Sequence, residues 1–335
     1  MDTIKINKPR QCDLSISDHC TLRCKMCKLW VHDLSFRDSN WMQLQDYKKL
    51  FHELRDFVED PFYVSFGGGE PLLNPIFFDI LKICKEVGFR TYFPTNAYLL
   101  NEENAKKINE AGVFLIGLSL ESLDRETHDF LRGKEGCWER VMKAIGYLEK
   151  DCPDVLINIL TIIMGTNLEE IVELTKWVHK HPRLSGIIFQ AIQKPFIVPC
   201  QENWYELEEY SFLWPKDIAR ANSVIEELIT LKQFSEQGCK ICNPVSQLKL
   251  FKLYFDNPRG FIKPARCHMA DTVIRGDLYG NIKFCEEMES IGNVKESNIS
   301  DIWYSQKADE IRERIYNCNK NCHLLVNCFY DGKPS

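Results

Sequence analysis

His19-Cys20-Thr21-Leu22-Arg23-Cys24-Lys25-Met26-Cys27 places three cysteines in a Cys-x3-Cys-x2-Cys array. The array follows a short run, Cys12-Asp13-Leu14-Ser15-Ile16-Ser17-Asp18, whose apolar residues alternate as in a strand. Soft thiolates this close together bind a soft metal or an iron–sulfur cluster. A four-iron cluster needs four ligands and the array supplies three, which leaves one iron open to a small molecule. The competing reading is a structural zinc knot. Zinc knots draw four ligands from two cysteine or histidine pairs, and no second cysteine pair lies within the next fifty residues.

A second stretch, Phe66-Gly67-Gly68-Gly69-Glu70-Pro71-Leu72, closes the next apolar run. Array and glycine run together resemble the radical S-adenosylmethionine superfamily. The resemblance implies a [4Fe-4S] cluster on Cys20, Cys24 and Cys27. Its open iron is chelated by the amino and carboxylate groups of S-adenosylmethionine, with Gly68, Gly69 and Glu70 receiving the amino group. It also implies reductive cleavage of S-adenosylmethionine to methionine and a 5′-deoxyadenosyl radical, which takes hydrogen from an unactivated substrate carbon.

Length and composition agree with such an enzyme. The 335 residues allow one large domain and a smaller one. A hydrophobic content of 44% is ordinary for a globular protein. The net charge of −6 gives no overall basic footprint, so nucleic acid is not an expected partner. Neither a signal-peptide h-region nor a membrane-length apolar run occurs, and the cytosol is the expected compartment. Fifteen cysteines fit metal clusters better than a disulfide framework, which is typical of small secreted chains.

Apolar spacing predicts strands over 12–18, 62–66, 89–94, 113–120, 155–164 and 185–192. Helices are predicted over 43–58, 75–87, 101–111, 137–150 and 168–180, with Asn101 as an N-cap. This alternation argues for a parallel sheet with outer helices. It falls short of the eight units of a closed barrel. The expected fold is α/β, a partial (β/α)6 TIM barrel with a small C-terminal cysteine-rich auxiliary-cluster domain. The expected domains are the barrel at 1–192, a connector with helices at 193–260, and the cluster domain at 261–335. Residues 193–215 carry prolines and many aromatics and form either a cap over the barrel mouth or an ordinary packed loop. Further helices are expected at 216–234 and 244–256.

A second cysteine set comprises Cys267 and Cys285, in a Cys-x12-Gly280-x4-Cys pattern, then Cys318, Cys322 and Cys328. This is similar to the SPASM module or its shorter twitch form. Five cysteines instead of seven imply one auxiliary [4Fe-4S] cluster, and Cys-x3-Cys departs from the module's usual spacing. A structural zinc site is the alternative.

The resemblance also nominates cosubstrate contacts at strand ends. Asn96 matches a Thr-Asn-Gly position, with Ala97 replacing the glycine. Ser119 and Glu121 match fourth-strand residues that touch carboxylate and ribose. Arg132 matches an arginine that pairs with the carboxylate. Cys12, Cys84, Cys137, Cys152 and Cys200 read as small core residues. Cys239 and Cys242 form a Cys-x-x-Cys pair that is either redox-active, a source of extra ligands or a pair of unlinked thiols. His19, His268 and His323 border cluster cysteines without further sign of coordination, and Glu286, Glu287 and Glu289 read as solvated surface.

The expected activity is oxidation or epimerisation of a small polar substrate, sugar-like or aminocyclitol. Similar enzymes that modify ribosomal peptides often carry a leader-binding domain ahead of the barrel, and here only eleven residues precede the first strand. Peptide maturation is the alternative. An electron donor such as flavodoxin or ferredoxin is the expected protein partner. A non-enzymatic iron–sulfur carrier or zinc-stabilised binding protein is the reading from another class; it gives no reason for three cysteines beside a Gly-Gly-Glu turn.

Overall fold

The computed structural model describes residues 7–31, 40–195, 202–234, 239–260, 267 and 269–327. Six strands lie side by side in chain order, all parallel. They are β1 (Gln11–Ser17), β2 (Tyr63–Gly68), β3 (Arg90–Thr95), β4 (Leu115–Ser119), β5 (Leu156–Ile163) and β6 (Gly186–Ala191). Crossovers run through α1 (Leu44–Phe57), α2 (Phe77–Glu86), α3 (Glu102–Glu110), the pair α4 (Arg125–Arg132) and α5 (Cys137–Asp151), and α6 (Ile171–Lys180). The partial (β/α)6 barrel read from the sequence is the architecture found.

Local chemistry sets these elements. In α1 the buried residues Tyr47, Leu50, Phe51, Leu54 and Phe57 recur at helical spacing. Phe51 meets Phe66 and Phe89 edge-on, with ring centroids 6.4 and 6.3 Å apart. Asn101 caps α3 by accepting from the Asn104 N–H at 2.9 Å. α4 starts on Asp124, which accepts from the Thr127 N–H, and ends at Gly133 in the left-handed conformation. The apolar spacing gave no sign of α4, because its buried stripe includes His128 and Asp129.

An open barrel leaves two sheet edges, and unpaired edges invite other strands. After α7 (Ile218–Phe234), α8 (Val245–Asp256) and α9 (Met269–Thr272), strand β7 (Val273–Gly276) pairs parallel to β1. β8 (Asn281–Lys283) and β9 (Gly292–Asn293) continue antiparallel, making nine strands. α10 (Ile299–Trp303) and α11 (Gln306–Tyr316) follow. The C-terminal part therefore extends the barrel sheet. On the other edge, Ala191 donates its N–H to Asn327 Oδ1 and accepts from Asn327 Nδ2, both at 2.8 Å.

In the connector, Trp204 and Leu213 are fully buried, and Trp214 meets Tyr254 and Phe255 edge-on, with ring centroids 5.2 and 5.3 Å apart. This part is packed core; Phe196, Pro199 and Cys200 lie outside the described residues.

Candidate active site

The loop after β1 is built by alternation. Leu22, Cys24 and Met26 point inward, while Arg23 and Lys25 are exposed. Its backbone docks on the end of α4, with Arg23 N donating to Arg132 O at 3.3 Å and Lys25 N to Leu131 O at 2.9 Å. Gly133 makes this approach possible. A Cβ there would lie 2.2 Å from Arg23 O, and its φ of +67° is one that side chains disfavour. The Trp30 indole N–H donates to Cys27 O at 2.6 Å and Cys24 O at 3.3 Å.

The turn after β2 is pinned from the same side. Gly69 N donates to Ser17 O at 2.6 Å and Glu70 N to His19 O at 2.7 Å. A Cβ on Gly69 would lie 2.0 Å from His19 O, so only glycine fits. The Glu70 carboxylate is buried and fully engaged. It accepts from Thr95 Oγ1 at 2.7 Å, Asn96 N at 2.9 Å and Leu72 N at 3.3 Å. Burial pushes this carboxyl up, and the three donors hold it back. The side chain ties the end of β2 to the end of β3.

Loop and turn face one cavity of about 220 Å³, lined by Cys20, Cys24, Cys27, Gly68, Gly69, Glu70, Asn96, Ser119 and Arg132 among others. The strand-end residues nominated from the sequence thus converge, with one exception. Glu121 is not part of the lining; it sits behind Arg132 as its ion-pair partner at 2.5 Å and accepts from Ile162 N at 2.8 Å. Burial pushes its carboxyl up, Arg132 opposes this, and the attraction keeps the guanidinium charged. Ala97 takes the left-handed conformation, φ +61°, where the family pattern has glycine.

Two donors reach the thiols. Asn96 Nδ2 lies 3.6 Å from Cys20 Sγ, and Arg132 Nη1 lies 3.8 Å from Cys24 Sγ. Arg132 Nε is buried with no hydrogen-bond partner among the described residues. Burial pushes the Cys20 thiol up to about 11 and raises Cys27 as well, so metal loading must displace their protons. The three thiols are soft ligands of the kind that hold an iron–sulfur cluster. The donor set, the N–H groups aimed at sulfur and the free Arg132 Nε fit such a cluster with an anionic ligand beside it.

Sequence reading missed the opposite wall, Gln190, Gln193, Lys194 and Asn327. Gln190 and Gln193 could have been found as polar residues at the end of the sixth strand. Asn327 carries no such signal, since it arrives by the tertiary return of the C-terminal segment.

The described C-terminal cysteines, Cys267, Cys285, Cys318 and Cys322, are free thiols within electrostatic reach of one another. Cys328 and His268 lie outside the described residues. His323 Nε2 faces Pro258 O at 2.8 Å, and His19 Nδ1 faces Asp18 at 2.5 Å. Glu287 and Glu289 pair with Lys320 and Arg314 at the surface. Cys12, Cys84, Cys137 and Cys152 are buried, and burial raises each thiol. Cys242 lies against Gly186, at the start of β6 and so at the opposite end of the strands from the cavity.

The description "Radical SAM superfamily" matches residues 14–178, and "Iron-sulfur cluster-binding domain" (SPASM) matches residues 267–329. The chain belongs to the radical SAM superfamily. Its radical SAM and SPASM domains imply a [4Fe-4S] cluster, an auxiliary cluster and S-adenosylmethionine. An AdoMet-dependent heme synthase of Methanosarcina barkeri is 30% identical over 193 residues, covering 58% of this chain and 52% of that protein. The chain thus spans about half the length of that curated relative. The tungsten-containing aldehyde ferredoxin oxidoreductase cofactor-modifying protein of Pyrococcus furiosus is 24% identical and covers 94% of this chain and 87% of that protein. Among solved structures, SuiB of Streptococcus suis superposes with a TM-score of 0.69 at 19% identity, over 96% of this chain and 72% of SuiB. That likeness speaks for the shared radical SAM fold.

Proposed function

We propose that this radical SAM enzyme binds S-adenosylmethionine in the cavity between the cysteine loop and the glycine turn, and oxidises or epimerises a small polar substrate at an unactivated carbon. The observation that carries the reading is the single cavity shared by Cys20, Cys24, Cys27, the Gly68-Gly69-Glu70 turn and Arg132. Cys20, Cys24 and Cys27 would hold the first cluster, and four of Cys267, Cys285, Cys318, Cys322 and Cys328 would hold the auxiliary one. When bound, the reduced first cluster and its cosubstrate supply one-electron chemistry that removes a hydrogen atom from carbon.

The protein's own groups position and shield. The N–H groups of Gly69 and Glu70 are engaged by Ser17 and His19, so the turn offers carbonyl acceptors to a cationic amino group. Arg132, held charged by Glu121, offers its unpartnered Nε–H to a carboxylate. Asn96 and Ser119 add polar contacts at the ends of β3 and β4. Leu22, Met26, Ile162 and Ile192 keep the cavity wall apolar and exclude water. Gln190 and Gln193 line the cavity with amide groups, which favours a hydroxyl- or amine-bearing small molecule, while the Asn327 amide is engaged by Ala191 and holds that wall in place. A small one-electron carrier protein is the expected donor. The cysteines found free suit a reducing cytosol, and among the described residues no helix is long and apolar enough to cross a membrane.

The test is reductive cleavage. Parent protein under anaerobic reducing conditions should release 5′-deoxyadenosine from S-adenosylmethionine, and Cys24→Ala should lower that rate at least about a thousandfold, roughly 4 kcal/mol of barrier. Equal release from both proteins contradicts the reading. Mass spectrometry of products formed in deuterated buffer then separates epimerisation, a gain of deuterium at carbon, from dehydrogenation, a loss of two hydrogens.

A further inference from the structure

The outer face of the cysteine loop has a chemistry of its own. Arg23 and Lys25 flank Cys24 and are exposed, and neither lines the cavity. Lys134 projects beside them, its Nζ 3.4 Å from Thr21 O and 3.8 Å from the centre of the Tyr98 ring. Arg140 reaches the same ring at 5.2 Å. Among the described residues none of these four cations makes an ion pair. Lys28 pairs with Glu209, Arg125 pairs with Glu139, and Glu135 is the exposed acid next to Lys134. Phe130, 51% exposed, stands beside this group with Lys25 Nζ 5.3 Å over its ring. A chain of net charge −6 thus gathers unpaired cations and an exposed aromatic ring on the outer side of the loop whose inner side carries the three thiols.

We propose that this surface, Arg23, Lys25, Lys134 and Arg140 around Phe130, docks a small acidic one-electron carrier protein and is the electron entrance to the cluster at Cys20, Cys24 and Cys27. The proposal rests on the cluster assignment made above. Charge complementarity selects the occupant, since a cationic collar raises the encounter rate of an acidic partner roughly 10- to 1,000-fold and loses that gain with salt. Arg23 and Lys25 of this surface are the immediate chain neighbours of Cys24, so a docked carrier stands close to the cluster. The step is a single-electron transfer. The carrier, as a reduced flavin or iron–sulfur protein, loses one electron, and the oxidised cluster gains it.

The experiment uses reconstituted full-length protein and hydroquinone-state flavodoxin as the probe, with stopped-flow bleaching of the cluster absorbance as the readout. Lys25→Glu/Lys134→Glu should slow reduction by flavodoxin at least about tenfold at low salt. Reduction of the parent should slow as salt rises, and that of the variant should not. Dithionite, which needs no docking surface, should reduce both at the same rate. Equal flavodoxin rates for parent and variant, or a parent rate indifferent to salt, overturn the docking surface while leaving the cluster assignment intact. Failure of dithionite to bleach the parent removes the cluster assignment itself, and the entrance with it.

Discussion

The two cysteine sets differ in what holds them. The loop carrying Cys20, Cys24 and Cys27 is fixed by the barrel. Two backbone hydrogen bonds tie it to the end of α4, the Trp30 indole closes its own carbonyls, and the Gly69 turn packs against His19. Cys267, Cys285, Cys318 and Cys322 lie outside the helices and strands, on connections around short elements. β8 has three residues and β9 two, and after α11 ends at Tyr316 the described chain offers only one short helical turn, His323–Val326. Cys285 lies within electrostatic reach of Cys267, Cys318 and Cys322. The first site is organised by its fold, and the second is expected to draw more of its order from its metal, as small metal-bound modules generally do.

Removing one ligand from the second set is the strongest way to break this comparison. Cys285→Ala should lower iron from about eight to about four per chain. It should also open the region beyond residue 267 to trypsin, while the barrel stays intact and still cleaves S-adenosylmethionine. If the C-terminal region stays as resistant as in the parent, metal does not organise it. The barrel side is tested by Arg132→Gln, which leaves Glu121 buried without its cation. Urea unfolding should show a loss of about 3–5 kcal/mol, with no change in trypsin sensitivity beyond residue 267. The surface substitution Glu103→Gln, which breaks only an exposed pair with Lys107, should leave the urea midpoint essentially unchanged.

A pH slope gives a further test of the barrel side. His128, buried on α4, accepts from Glu121 N at 3.1 Å, and burial lowers its pKa to about 3. Between that value and the ordinary imidazole range near 6.5, the unfolded chain binds a proton that the folded chain refuses. Stability therefore falls as pH falls through this window, by up to about 1.4 kcal/mol per pH unit. Urea midpoints measured between pH 6.5 and 5 should show this slope, and His128→Gln should flatten it. An unchanged slope in the variant removes the assignment.

Much of this molecule could be read from its sequence. Long apolar runs and helical stripes such as Tyr47–Leu54 gave the six barrel units, and the spacing of Cys20, Cys24 and Cys27 with Gly68-Gly69-Glu70 picked out residues that line one cavity. α4 escaped because Arg125–Arg132 buries His128 and Asp129 beside Leu131, although Asp124 and Gly133 mark its ends. β7, β8 and β9 are too short for a period of two to register. The direction of the Glu121 carboxylate follows from the position of Arg132, eleven residues further on at the end of α4, and no local pattern encodes it. Asn327 joins the cavity only because the C-terminal segment returns to Ala191. Short-range signals specify elements and motifs, while the substrate wall is a product of tertiary return.

The most direct test of the central claim is electron paramagnetic resonance of the singly reduced, reconstituted protein with and without S-adenosylmethionine. An open iron on the Cys20, Cys24 and Cys27 cluster predicts that S-adenosylmethionine shifts the g-values of one signal, and that a Cys20→Ala/Cys24→Ala/Cys27→Ala variant loses that signal and keeps the other unshifted. Spectra indifferent to S-adenosylmethionine in the parent would contradict the account.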